Sequence, residues 1–169
     1  MDTLASSPFA ALTVIVAPAI LTNASSVLSL GTGNRIARVV DRTRALAAGL
    51  AGLDPADPTA VAYEAHLARL KVRSQLLLRA LRCFYLSIGA FASAALISVV
   101  GSLVTAYGGA EAIFQTMAAM SLVVGTVGVG GLVVGCGVMV RETQLAVQFL
   151  EQEARLIQKM PLSGTVTTL

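Results

Sequence analysis

Apolar residues fall into three long runs, Phe9–Leu30, Cys83–Tyr107 and Ile113–Val140, and no Asp, Glu, Lys, Arg or His enters any of them. Each exceeds the roughly 18 apolar residues a spanning helix needs. At about 1.5 Å per residue each can cross a hydrocarbon core of about 30 Å, the third with some tilt or with a turn protruding. Between the first two runs the pattern changes. Ile36, Val39, Thr43, Leu46 and Leu50 recur at 3-4-3-4 spacing, then Tyr63, Leu67, Leu70, Ser74, Leu77 and Leu81 at 4-3-4-3-4. Both are coiled-coil-like seams and predict two paired antiparallel helices. Ala51–Thr59 (AGLDPADPT) separates them: its two Asp-Pro pairs disfavour helix, and Asp57 before Pro58 is an N-cap that starts the second arm. After Val140, Leu145, Phe149, Leu156 and Met160 share a face with Gln152, while Glu142, Glu151, Glu153, Arg155 and Lys159 decorate the others. That is an amphipathic helix over 141–160, ended by Pro161 and followed by a polar tail.

The expected fold is therefore an all-α integral membrane protein, residues 1–169 forming one membrane domain. Three transmembrane helices cover about 9–30, 83–107 and 113–140. A cytoplasmic helical hairpin, 34–82, extends spans one and two, and an amphipathic C-terminal helix lies beside it. Composition agrees: charged residues make up 12 %, against about 25 % in a soluble domain, and mean hydropathy is +0.79. The first span is expected to stay in place, because MDTLASSP lacks the basic start of an export signal and carries Asp2.

Polar and small residues inside the spans are the next features. In span one, Thr22, Ser25, Ser26 and Ser29 follow i, i+3, i+4, i+7 spacing and share a face, with Asn23 beside it. Such a face serves either close helix packing or the water-facing wall of a pore. Pro18 removes a backbone donor and predicts a kink near Ile15–Pro18; Gly31 and Gly33 are expected to loosen the helix before the charged segment. Span two carries a small-residue stripe, Ser87, Ala90, Ala94, Ser98, Gly101 and Thr105, suited to close helix approach. Span three is dense in glycine between Gly125 and Gly137, with a GxxxG match at Gly131–Gly135.

Charge settles the expected orientation. Nine of the twelve Lys/Arg lie between Asn34 and Arg82, and the other three follow span three. The positive-inside rule then puts the N-terminus outside and the connection and C-terminus in the cytoplasm. Asn34–Arg44 (NRIARVVDRTR) holds four arginines around Asp41; a charge at mid-bilayer costs at least about 2.5–3.5 kcal/mol, so this segment marks where span one ends. Asp41 is three residues from Arg38 and from Arg44, which suits intrahelical pairs. Arg35, Arg38 and Arg42 form a separate stripe suited to lipid phosphates.

Catalytic chemistry is thin. The spans hold no acid or histidine, His66 stands alone in the cytoplasmic arm, and Cys83 and Cys136 show no metal-binding spacing on a reducing side. Neither an enzyme nor a cofactor or metal is expected, and nucleic acid is not an expected partner.

Ala17–Pro18, the block Asn34, Arg35, Ala37, Arg38, Val40, Asp41 and Arg42, the basic run LKVRSQLLLRALR and the pair Arg141–Glu142 together resemble a bacterial family catalogued as domain of unknown function 2721. The resemblance implies a three-span bacterial inner-membrane protein and carries no activity. Three helices enclose too little area for a route of their own, so self-association with cyclic symmetry is expected. The functional expectation is a homo-oligomeric ion-conducting pore. Thr22, Asn23, Ser25, Ser26 and Ser29 would line it, and Asn34, Arg35, Arg38, Asp41 and Arg42 would form a cytoplasmic mouth or meet lipid phosphates. Ser87, Ala94, Ser98, Gly101, Gly131 and Gly135 would pack the helices. The alternative is a non-conducting structural or regulatory subunit whose basic hairpin binds anionic lipid or a cytoplasmic protein.

Overall fold

The computed structural model describes residues 8–54, 57–108 and 111–159. They form three helices: α1 (Pro8–Leu50), α2 (Pro58–Ala106) and α3 (Glu111–Lys159). At 43, 49 and 49 residues, each is far longer than the ~20 residues a bilayer requires. Every helix is thus an apolar length joined without interruption to a charged one.

The turn chemistry is local. Asp57 caps α2: its Oδ1 accepts from the Thr59 amide at 2.7 Å, and its carbonyl accepts from Ala60 and Val61. Hydrogen bonds from Thr59, its hydroxyl first and its amide second, hold the Asp57 carboxyl below its ordinary value of 3.8. After α2, Gly108 takes a φ of +81°, which glycine adopts without a Cβ clash. α1 continues through Pro18, Gly31 and Gly33.

α2 is the central element, with α1 on one flank and α3 on the other. α1 and α2 run antiparallel along the seam residues: Val39, Leu70 and Leu77 are buried, with Ile36, Leu46 and Met139 packed against them. Near the turn, Gly49 lies under the Tyr63 ring.

α2 and α3 meet differently, glycine against bulk. A Cβ on Gly135 would stand 2.6 Å from the Phe84 ring, and one on Gly131 2.7 Å from Ser87 Oγ. Neither distance is tolerable, so the approach requires glycine at both positions. Phe84, Ser87, Phe91 and Ala94 are buried along this seam. Ser98 and Ser121 share a 2.7 Å hydrogen bond across it, one hydroxyl donating to the other, and the second hydroxyl's proton goes to the Ala94 carbonyl, which lies 3.0 Å from both oxygens.

Two of the helices, α2 over Pro58–Val104 and α3 over Glu111–Phe149, are long and apolar enough to cross a membrane. Only 22 % and 11 % of their most apolar stretches are buried. A helix in a soluble core would be mostly covered; here Leu86, Leu96, Leu122, Val127 and Val133 point outward. Two such helices with an apolar exterior suggest a membrane protein.

Candidate anion-binding site

Where the apolar exterior of α1 stops, after Leu30, the three helices gather their charges. Glu142 of α3 is the centre, 1 % exposed. Arg73 of α2 grips its Oε1 with both Nε, at 2.9 Å, and Nη2, at 2.8 Å. Arg35 of α1 reaches its Oε2 with Nη1 at 3.5 Å, and the same nitrogen donates to Thr143 Oγ1 at 3.3 Å. One carboxylate therefore ties all three helices. Just above it Thr32, also buried, donates to the Leu28 carbonyl and lies 3.6 Å from Met139 Sδ. α1 and α3 meet at these two levels.

A buried carboxylate needs this many partners. Leaving water costs an ion several kcal/mol, returned only by close opposite charge and hydrogen bonds on its lone pairs. The arginines lose less, because Arg35 and Arg73 keep 45 % and 29 % of their side chains exposed.

Their exposed sides open into a groove of about 350 Å³ between α1 and α2, lined by Arg35, Arg38, Val39, Arg42, Leu70 and Arg73. Arg42 and Arg73 also border a cleft of about 40 Å³ with His66 and Arg69, closed by Ala146 and Phe149. Arg69 lies 5.1 Å over the Phe149 ring, a cation–π contact that holds α3 against α2. Arg38 Nε donates within its own helix, to the Asn34 carbonyl at 3.4 Å. Four guanidiniums thus surround one open groove, with Glu142 behind them as the carboxylate that two of them hold.

The residues singled out in the sequence are distributed as follows. Asn34, Arg35, Arg38, Asp41 and Arg42 are all exposed, and the three arginines line the groove. Asp41 is not part of it and, among the described residues, forms no salt bridge with Arg38 or Arg44. The expected intrahelical pairs are absent, because an exposed carboxylate gains little by fixing a hydrated arginine. On α1, Ser25 and Ser29 are buried, Thr22 is half-buried, and Asn23 and Ser26 are exposed. Thr22, Ser25 and Ser26 donate to the carbonyls of Pro18, Leu21 and Thr22 at 2.8 Å, while Ser29 Oγ has no partner among the described residues. Ser87, Ala94, Gly101 and Gly135 are buried and Ser98 and Gly131 half-buried. The side chains of Thr105, Gln152, Glu153, Arg155, Leu156, Lys159 and Met160 lie outside the described residues, as do the N-terminal MDTLASS and the polar tail.

Glu142 is the correction of most consequence: it does not decorate a solvated face of α3 but is the most enclosed charge among the described residues. Arg73, within the basic run LKVRSQLLLRALR, is its closest partner. A signal for this existed. Glu142, Leu145 and Phe149 are spaced i, i+3, i+7, so Glu142 occupies the same helical face as the apolar residues that pack.

The family described as protein of unknown function (DUF2721) matches residues 15–152. The chain belongs to it. The DUF2721 match takes in Arg35, Arg38, Arg42, Arg73 and Glu142, so the whole groove lies within the family's span. No curated protein and no solved structure matches the chain.

Proposed function

We propose that this is a three-span protein of the bacterial inner membrane, N-terminus outside and C-terminus cytoplasmic, whose arginine groove engages anionic phosphate headgroups. Its role on this reading is structural or regulatory, without conduction or catalysis. One observation carries it: four arginines from two different helices open onto a single groove where the apolar exterior ends. Along α1, Arg35 lies five residues beyond the exposed Leu30, or about 7.5 Å, the depth of a headgroup layer. Each basic residue near such a surface is worth about 1 kcal/mol.

The test places the full chain in zwitterionic phosphatidylcholine nanodiscs and in nanodiscs containing phosphatidylglycerol. Anionic lipid should raise the thermal midpoint, and added salt or the pair Arg38→Gln and Arg42→Gln should erase the gain. Equal midpoints in both lipids would defeat the reading. Orientation is tested separately, by membrane-impermeant thiol labelling of single cysteines placed between 35 and 82; modification from the periplasm contradicts it.

A second reading, the homo-oligomeric pore, is favoured by Asn23 and Ser26, which are exposed on α1 between the exposed Ile20 and Val27. An amide facing lipid seeks a partner, which a second copy could provide. Against it stands the burial of Ser25 and Ser29 within the protomer. Replacing Asn23 and Ser26 with leucine should abolish ion flux in liposomes while assembly survives; unchanged flux removes this lining.

A further inference from the structure

We infer that the groove between α1 and α2 is a discrete site for a ligand carrying two phosphate groups, and that Glu142 competes with that ligand for Arg35 and Arg73. The inference deepens the headgroup reading above and rests on it.

The first argument is charge. Four guanidiniums line or back the groove and, among the described residues, the only carboxylate touching them is Glu142, already shared by Arg35 and Arg73. Arg38 and Arg42 have no such partner among the described residues, so three positive charges remain in excess. A single phosphodiester leaves most of that excess uncompensated; two phosphates nearly match it. The second argument is length. Arg35, Arg38 and Arg42 are spaced i, i+3, i+7 on one face of α1, so the guanidinium row extends about 10 Å along the axis. Arginine forks bind phosphate oxygens in pairs, and a row of that length serves two groups in sequence. The third argument is shape. Val39 and Leu70 floor the groove between the arginines, so a short organic link between two phosphates meets apolar side chains there.

Glu142 gives the site its selectivity. It already occupies Arg73 at 2.8 and 2.9 Å and Arg35 at 3.5 Å. A ligand must draw the looser arginine, Arg35, partly away from it, which a weak single anion does poorly and a linked pair does well through effective concentration.

Two sources share this chemistry: a diphosphate lipid, or a free oligophosphate entering from the aqueous end. The experiment uses the full chain in phosphatidylcholine nanodiscs and measures binding of cardiolipin, of phosphatidylglycerol at equal phosphate, and of inorganic pyrophosphate. A discrete site binds cardiolipin or pyrophosphate about tenfold or more tighter than phosphatidylglycerol. Arg42→Gln, at an exposed position, should remove that preference without disturbing the fold. Glu142→Gln should act oppositely and raise affinity severalfold. Preference for cardiolipin assigns the lipid source and preference for pyrophosphate the free one. Equal binding of all three per phosphate overturns the site while leaving the general headgroup reading intact; no binding of any overturns both. Should Glu142→Gln prove unstable, Arg38→Gln alone decides, since an unaltered preference in that variant also overturns the site.

Discussion

The two ends of the bundle are held together by opposite chemistry. In the apolar half, α2 and α3 join through glycine against phenylalanine, with one serine pair bridging them. In the charged half, a buried carboxylate and two arginines join all three helices. Lipid tails are as apolar as any side chain, so burying a leucine between helices gains little there; close packing and internal hydrogen bonds must supply the adhesion. That is why the seam uses residues without side chains. At the charged end water competes for every exposed charge, and an ion pair holds only where the carboxylate is enclosed. The first contact tolerates no added volume. The second tolerates no lost charge.

Adding one methyl to the glycine seam should give the largest effect. Gly135→Ala puts a Cβ 2.6 Å from the Phe84 ring and 3.2 Å from Cys83 Cβ, and Phe84 is fully buried and cannot retreat. Overpacking of this kind costs about 1–3 kcal/mol. Cys83 is a free thiol at the same contact, so its reaction with a thiol-reactive fluorophore during heating reports the seam's opening. The midpoint should fall by about 3–8 °C. Gly137→Ala is the control: nothing lies within 4 Å of its Cβ, and the change should be neutral or stabilise by up to about 1 kcal/mol. Equal losses from both would mean that the glycines are needed for backbone reasons and not for approach.

At the charged end, Glu142→Gln keeps the shape and removes the charge. Breaking a fully buried pair costs about 3–5 kcal/mol, but Arg35 and Arg73 remain partly hydrated. The expected loss is therefore about 1–2 kcal/mol. It should be confined to the charged half: protease cleavage in the C-terminal part of α3 speeds up while Cys83 stays protected. Loss of Cys83 protection at the same rate would show the two ends to be one cooperative unit.

Much of this contrast could be read from spacing, and the unreadable part has a common cause. The seam positions Ile36, Val39, Leu70 and Leu77 repeat at a period that any partner helix would bury, and the cap at Asp57 depends on neighbours in sequence. The glycine run announced a close approach but could not name Phe84 or Ser87 as what it approaches. Glu142 was harder. Arg141–Glu142 at a span exit looks like two solvated charges, and only the meeting of three helices distinguishes an exposed Arg141 from an enclosed Glu142. The α1 hydroxyls divided for the same reason: Ser25 and Ser29 turn inward with Thr32, Ser26 outward, a split that periodicity places within one turn of its true position and no closer. Asp41 failed in the other direction, since a good i, i+3 spacing gives an opportunity for pairing and no compulsion to use it.

A smaller loss is expected from the serine bridge in the apolar half. Ser121→Ala removes the 2.7 Å bond to Ser98 and the 3.0 Å approach of its hydroxyl to the Ala94 carbonyl, contacts that share two hydroxyl protons with Ser98. Hydrogen bonds between membrane helices average about 0.6 kcal/mol, with about 1.7 as a ceiling. Whichever hydroxyl donates in the pair, Ser98 is left to donate to the Ala94 carbonyl at 3.0 Å, so one bond is lost on balance and the loss should lie near the average. Adding Ser98→Ala to the variant should cost less than the two changes summed, because they share one contact. Additive losses would mean that the serines act separately.

The smallest effect lies outside both contacts, at the turn between α1 and α2, and it has a pH signature that neither contact shares. The Asp57 carboxylate accepts from Thr59, and those bonds, the hydroxyl's first and the amide's second, hold its carboxyl below 3.8. A carboxyl lowered by folding stabilises the fold while ionised: the contribution is complete above the unfolded value and is lost as the pH falls through the folded one. Wild type and Asp57→Ala should therefore differ by a small midpoint shift, about 2 °C, near neutral pH. The gap should begin to narrow below about pH 4 and close as the pH falls through the lowered folded value, where the wild-type cap takes up its proton. Thr59 itself is exposed, so no buried group is stranded by the change. A gap that stays constant through this range would assign the effect to the shape of the turn, leaving the charged cap without a role in starting α2.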